Sequence, residues 1–355
     1  NKMVFSSFVF LLAFLPIVLL LYYLCPARLR NLVLLVFSLV FYAWGEPVYV
    51  LIMLFSIVFD YANGRLIEHF KNKNCPGKAK AALIVDLCGN LAILGFFKYT
   101  DFVIGSINSI TGAGLSLLHI ALPIGISFFT FQILSYVIDL YRGRYPVQKN
   151  ILNLALYISF FPQLIAGPIV RYVDIDRQLE SRTHSTQKAM EGIRRFLYGL
   201  GKKVLIANVL GQCVDSIYAM ELSEVTGTFA WLAAGMYMLQ IYYDFSGYSD
   251  MAIGLGKILG FTFPENFRYP FISKSISEFW RRWHMTLGGW FRDYLYIPLG
   301  GNRVSVLRWC FNMFVVWLLS GLWHGAGWNF ALWGLYFGVF LSAEKLIGKN
   351  GKKVL

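Results

Sequence analysis

Uncharged apolar runs long enough to cross a lipid bilayer recur along this chain, and a water-soluble core has no use for so many. Residues 3–24 include FVFLLAFLPIVLLLYYLC, about the ~20 residues that the hydrocarbon layer requires of a helix. Further apolar runs cover roughly 31–44, 47–60, 81–97, 116–138, 151–170, 204–219, 227–243, 307–323 and 328–343. They predict an all-α, polytopic helical bundle of about nine to eleven membrane segments, some of them short or re-entrant. Charged residues make up only 14% of the chain, against ~25% in a soluble domain. So many spans use up the 355 residues, and 1–355 reads as a single membrane domain. The first run is longer than the apolar stretch of a signal peptide, and no small-residue cleavage site follows it, so it reads as a span.

The net charge is +13. The basic residues fall between apolar runs, where a membrane protein keeps its cytoplasmic positive charge, and this source of charge argues against nucleic-acid binding. Arg28 and Arg30 follow the first span; GEPVY, after the second, carries no base. Arg65, Lys71, Lys73, Lys78 and Lys80 follow the third, with RGRYPVQK at 142–149 and GKNGKK at 348–353 further on, while ELSEVTG at 221–227 is acidic. This asymmetry places the basic loops in the cytoplasm and the N-terminus outside. Two polar insertions interrupt the pattern. Residues 171–203 look partly helical, with Met190, Ile193 and Phe196–Leu197 at helical spacing. Residues 263–306 mix charge with Trp, Tyr and Phe, as a helix at the headgroup boundary does. Cys25, Cys75, Cys88, Cys213 and Cys310 have no metal-ligand spacing and read as small apolar residues. No sequence repeat points to the inverted halves of many transporters.

Chemistry narrows to the histidines. His69 and His184 lie in basic polar loops and are expected to be solvated, and His119 at the edge of an apolar run is expected to be structural. His324 lies in VVWLLSGLWHGAGWNFALWGLYFG, between two apolar spans. An ionisable group at membrane depth costs a few kcal/mol and normally faces a cavity or a partner. Gly321, Gly325 and Gly327 permit close backbone approach, and Trp323 and Trp328 are candidate cavity walls. A neutral imidazole there suits a general base acting on a hydroxyl. A histidine merely hydrogen-bonded between helices fits the position equally well. His284 follows Phe279, Trp280, Arg281, Arg282 and Trp283; on a continuous helix it shares a face with Trp280. Arg281 and Arg282 could meet the phosphates of an acyl carrier or the headgroups of membrane lipids. Asp60, Asp86, Asp139, Asp244 and Asp250 lie near membrane depth; the last two fall in a polar break, YYDFSGYSDMAIG, and read as structural. Gly256 and Gly260 read as small residues in helix packing. No G-x-S-x-G, H-E-x-x-H or P-loop is present.

Several of these stretches together resemble the membrane-bound O-acyltransferase family. They are SEFWRRWHMTLGGWFRDYLYIPLGGNR at 277–303, LSGLWHGAGWNF at 319–330, LPIGISFFTFQILSYVIDLYRG at 122–143, FFPQLIAGPIVRY at 160–172 and YYDFSGYSDMAIG at 242–254. The likeness is to the bacterial branch that includes the alginate O-acetyltransferase membrane subunit. It implies a helical body around a funnel or tunnel, in a bacterial inner membrane. It implies His324 as the catalytic histidine and His284 as the second polar residue of the site. Trp280, Arg281, Arg282 and Arg292 are donor-binding candidates in the same run. The donor is expected to be acetyl-CoA or a similar activated acyl carrier, used as substrate, with no resident cofactor and no metal. The acyl group is expected to pass to an extracytoplasmic acetyltransferase or polysaccharide-synthesis complex. Two other readings are open: acylation of a lipid or protein, and non-enzymatic transport of an acyl carrier. Members of this branch usually continue with further spans after the region corresponding to 319–330, whereas this sequence ends at Leu355; a short member and a truncated sequence lacking C-terminal spans are both open.

Overall fold

Backbone groups in lipid must be satisfied within their own segment, and helices do this. The structure, a computed structural model, describes residues 3–221 and 223–350, with side chains to 347. Asn1, residues 351–353 of the basic GKNGKK stretch and the side chains of that whole stretch fall outside what is described. Every regular element among the described residues is helical. In chain order they are α1 (Leu15–Leu24), α2 (Arg30–Gly45), α3 (Val50–Asn72), α4 (Pro76–Thr111), α5 (Ile126–Tyr141), α6 (Ile151–Ser159), α7 (Phe161–Leu164), α8 (Tyr172–Glu180), α9 (Thr186–Gly201), α10 (Asn208–Tyr218), α11 (Gly227–Ile258), α12 (Ile276–Arg282), α13 (Met285–Phe291), α14 (Val306–His324) and α15 (Trp328–Asn350).

Five described helices are long and apolar enough to cross a membrane: Ala27–Gly45, α3, α4, α14 and Trp328–Ile347; Phe10–Leu24 and α5 are shorter apolar helices. This is fewer than the nine to eleven segments expected. The run at 151–170 breaks at Phe160 between α6 and α7, and only the part of 116–138 from Ile126 onward is helical. The run at 227–243 is the first half of α11, whose second half carries Asp244, Asp250 and Lys257. The spans keep large apolar side chains on the outside, Leu307 being 85% exposed and Phe8 81%. Such surfaces suit lipid and not water.

Contacts divide the chain into two compact units, Asn1–Leu54 with Asn150–Asn266 and Phe55–Lys149 with Phe267–Leu355. In the first unit, Phe5, Phe10, Phe14, Phe41 and Phe161 form one aromatic cluster. The Phe161 amide donates to Ser38 Oγ at 3.1 Å, which satisfies the first turn of α7. Helix α9 lies against α11 with backbone almost touching backbone. A Cβ on Gly199 would meet the Gly247 carbonyl at 2.5 Å, and one on Gly254 the Gly192 carbonyl at 2.6 Å. Small-residue packing is therefore real, but it runs through Gly247 and Gly254. Gly256 instead faces the Phe263 ring, and Gly260 lies beyond the helix end. Gly260 takes φ +85° where the Phe261 amide reaches back to the Gly256 carbonyl at 2.8 Å, a helix stop that favours glycine. On α9, Met190, Ile193 and Leu197 point outward and only Phe196 of the expected stripe is buried. In lipid the apolar stripe is free to face outward, and the glycine face packs.

The expected polar break at 242–254 is continuous helix within α11. Asp250 holds it to α9, accepting from Arg195 Nε at 2.7 Å and Lys202 Nζ at 2.6 Å. Asp250→Ala leaves both cations without this partner. Their side chains are 31% and 29% exposed, so the expected loss is about 1–3 kcal/mol and not the full cost of breaking a buried pair. Thermal unfolding in detergent measures it, and an unchanged transition would show the ion pairs to be idle. His184, expected in solvent, is half-buried in this unit. Tyr22 Oη donates to the Leu259 carbonyl at 2.8 Å, so it accepts from His184 Nε2 at 2.9 Å.

In the second unit the remaining acids are held in place. Asn90 Nδ2 donates to Asp60 Oδ1 at 2.7 Å and to Asp86 Oδ2 at 3.3 Å, tying α3 to α4. Asp139, 1% exposed in its side chain, faces Arg144 at 3.2 Å and accepts from Tyr294 Oη at 2.6 Å. Helices α14 and α15 form a hairpin joined by residues 325–327. A Cβ on Gly321 would meet the Phe330 carbonyl at 2.2 Å, and one on Gly334 the Trp317 carbonyl at 2.2 Å. Gly325 is as tight, against the Phe330 ring at 2.1 Å.

Candidate active site

The site lies wholly in the second unit. The RRWH stretch does not form one helix: α12 ends at Arg282, Trp283 is extended, and His284 takes φ 44° and ψ 52° before α13 begins. A left-handed conformation costs a non-glycine residue of order 1–3 kcal/mol, and such residues cluster at functional sites. The break means that Trp280 and His284 do not share a helical face. The turn nonetheless sends both toward the same space, a slot of about 190 Å³. Trp280, Trp283, Leu287 and Phe291 wall it on one side, and Met313, Val316, Trp317 and Ser320 of α14 on the other. Both His284 and His324 line it. Their ring centroids are 6.5 Å apart and the rings are near perpendicular.

His324 ends α14. A helix leaves its last carbonyls without intrahelical partners, so its end is a place where side chains can be fixed by backbone. The Nδ1 of His324 lies 2.7 Å from the Ser320 carbonyl, one turn back. A carbonyl only accepts, so Nδ1 carries the proton and Nε2 keeps its lone pair. The ring is recessed among Trp323 (5.1 Å), Trp333 (5.0 Å) and His284, yet it remains open to the slot. His284 is 3% exposed. Burial first, and then the imidazole of His324, hold it well below the usual imidazole range, so it stands neutral at pH 7. The arrangement supplies one exposed basic nitrogen and one neutral imidazole inside an apolar slot. Trp280 adds an indole N–H that is buried with no hydrogen-bond partner among the described residues.

The other candidates separate. Trp280 and Arg292 line the slot; Arg281 and Arg282 do not. Arg282 is taken up by Glu278 at 2.8 Å and the Arg268 carbonyl at 3.2 Å, and Arg281 is exposed. Arg292 sits at the rim, 64% exposed in its side chain and paired with Asp293 at 2.8 Å. Of the two tryptophans expected as walls, Trp323 packs on Phe128, Phe131 and the two histidines, while Trp328 faces outward and bonds Ser106. The tryptophans that do form the wall are Trp280, Trp283 and Trp317. In the sequence Trp283 stood out only as part of the run before His284, and Trp317 not at all, although Trp317 lies seven residues before His324, on the same helical face. His119, expected to be structural, is exposed at φ 50° in the segment before α5, and His69 is exposed at the end of α3. No group of three metal-ligating side chains occurs among the described residues.

Fold and slot define a class, a multi-pass helical membrane protein with two imidazoles on one apolar cavity. A family model for membrane-bound O-acyltransferases matches residues 144–354. The chain is 48% identical to a probable alginate O-acetylase of Pseudomonas aeruginosa, over 98% of this chain and 67% of that protein. It is 38% identical to a peptidoglycan O-acetyltransferase of Helicobacter pylori, over 99% of this chain and 72% of the other. To a teichoic acid D-alanyltransferase of Bacillus subtilis it is 30% identical, over 65% and 60% respectively. The chain belongs to the membrane-bound O-acyltransferase family and is an O-acyltransferase.

Proposed function

We propose that this enzyme takes an acetyl group from a cytoplasmic activated donor, acetyl-CoA or a similar thioester, and passes it across the inner membrane toward a cell-surface polysaccharide. In this reading an extracytoplasmic partner transferase receives the acyl group, the N-terminus lies outside, and the basic loops face the cytoplasm. The carrying observation is His324, with Nδ1 tied to Ser320 and Nε2 open to an apolar slot. A slot of about 190 Å³ is below the ~300–1,000 Å³ of sites that enclose a drug-sized ligand. That size suits a narrow acyl arm better than the body of a carrier. The thioester is already activated, so the protein's task is to align it and to remove the proton of the incoming hydroxyl. Nε2 of His324 takes that proton, the hydroxyl oxygen bonds the acyl carbon, and the thiolate leaves. To His284 and Trp280, which both line the slot, this reading assigns stabilisation of the oxygen on which charge develops.

The names of the relatives support the polysaccharide side of this reading, since they include alginate and peptidoglycan O-acetylation. Reconstituted protein supplied with labelled acetyl-CoA on one side, and with polysaccharide plus the secreted transferase on the other, should produce labelled ester on the polymer. Label that crosses unchanged as acetyl-CoA would favour transport instead. Label that ends on lipid or protein would favour the other acylation reading.

A further inference from the structure

We propose that Lys98 is a positioning residue for His324; the inference rests on the reading of His324 as the base. Lys98 stands in the long span α4, in FFKYTDF. A cation at that depth normally has a carboxylate partner or a task, and among the described residues Lys98 has no carboxylate partner. Its Nζ donates to Ser127 Oγ at 3.0 Å and to the Trp323 carbonyl, and lies 5.6 Å from the centre of the Trp323 ring. The next residue, Tyr99, donates to the Leu322 carbonyl at 2.7 Å. Two consecutive residues of α4 therefore hold two consecutive carbonyls of the last turn of α14, directly before the histidine.

That end of α14 needs such a hold. No left-handed glycine closes it, because Gly325 is extended at φ −163°. Within the helix, the Gly325 amide reaches Gly321 at 3.3 Å, and the carbonyls of Leu322 and Trp323 receive their donors from α4. A positive charge at a helix C-terminus also complements the dipole. If the last turn frays, the Ser320 carbonyl no longer fixes Nδ1, and the imidazole loses both tautomer and aim. Lys98 touches neither reacting atom in this scheme; it acts through the backbone that carries His324.

The test uses the full chain in proteoliposomes, with labelled acetyl-CoA as donor and Lys98→Met, Lys98→Arg, Tyr99→Phe and His324→Ala compared. Lys98→Met is expected to lower kcat about 10- to 100-fold, with KM for the donor changed less than about threefold. Lys98→Arg should recover to within about fivefold of the parent, since it keeps the charge and a donor, and Tyr99→Phe should lose only about three- to tenfold. Should Lys98→Met fail to fold, Ser127→Ala, which removes the second anchor of the ammonium, takes its place with an expected three- to tenfold loss in kcat. A normal kcat in the folded Lys98 or Ser127 variant beside an inactive His324→Ala overturns the inference and leaves the reading of His324 intact. Activity lost only in proportion to folded protein, without rescue by Lys98→Arg, also overturns it. An active His324→Ala removes the reading on which the inference stands.

Discussion

His324→Ala should lower acyl transfer by about 10²- to 10⁴-fold, the contribution of a positioned general base, while the protein still reaches the membrane folded. The fold is expected to survive because the ring is open to the slot and, among the described residues, carries one hydrogen bond, to the Ser320 carbonyl at 2.7 Å. The variant thus removes a proton acceptor along with its ring contacts to Trp323, Trp333 and His284, a cost of about 1 kcal/mol. His324→Gln is the stricter version, since its amide can still bond backbone but is no base, and it should be as slow as the alanine form. Rates are best taken in single turnover with labelled donor, so that release does not mask the chemical step. Parent-like rates in both variants would leave the slot without a base and the proposed mechanism without its centre.

Gly321→Val should be the most destabilising substitution discussed here. The added Cβ alone would lie 2.2 Å from the Phe330 carbonyl and close to Gly334. Neither neighbour can move as a side chain can, because both contacts are backbone. Losses above the ordinary 1–3 kcal/mol of overpacking are expected, about 3–5 kcal/mol, with a matching fall in folded protein from detergent. Gly338→Ala sets the scale on the same hairpin. Its Cβ would meet Trp317 Cβ at 3.2 Å, a contact that a small shift relieves, so a cost below about 1 kcal/mol is expected. Equal behaviour of the two variants would mean that the hairpin is not held by this crossing.

The helical class was legible because uncharged runs of some twenty residues leave the backbone no other choice. Their number was harder to read. Apolarity marks contact with lipid as well as burial, so the Met190–Ile193–Leu197 stripe turned out to face outward while glycines made the contact. The glycine-rich surroundings of His324 carried a signal that spacing could express, since Gly321 and Gly325 are where backbone and ring approach most closely. The turn at His284 was not legible. Nothing in RRWH forbids a continuous helix, and residue pattern alone does not mark a left-handed residue at His284. Lys98 could have been found, as a lone base one residue beyond an apolar run, by the same reasoning that selected the buried acids. The tryptophans of the wall come from α12, the turn after it and α14, and only the fold brings them to one side of a cavity.

The hairpin of α14 and α15 also ties the histidine to the lipid around it. Nineteen residues of α14 rise about 28 Å, close to the ~30 Å of an average hydrocarbon layer. A three-residue connection and a glycine crossing prevent either helix from tilting alone. When acyl chains shorten or lengthen, the pair must lean as one strut, and the imidazole at its tip changes depth with it. With His324 as the proposed base, the rate of acyl transfer should then follow bilayer thickness, which vesicles of shorter and longer acyl chains would measure.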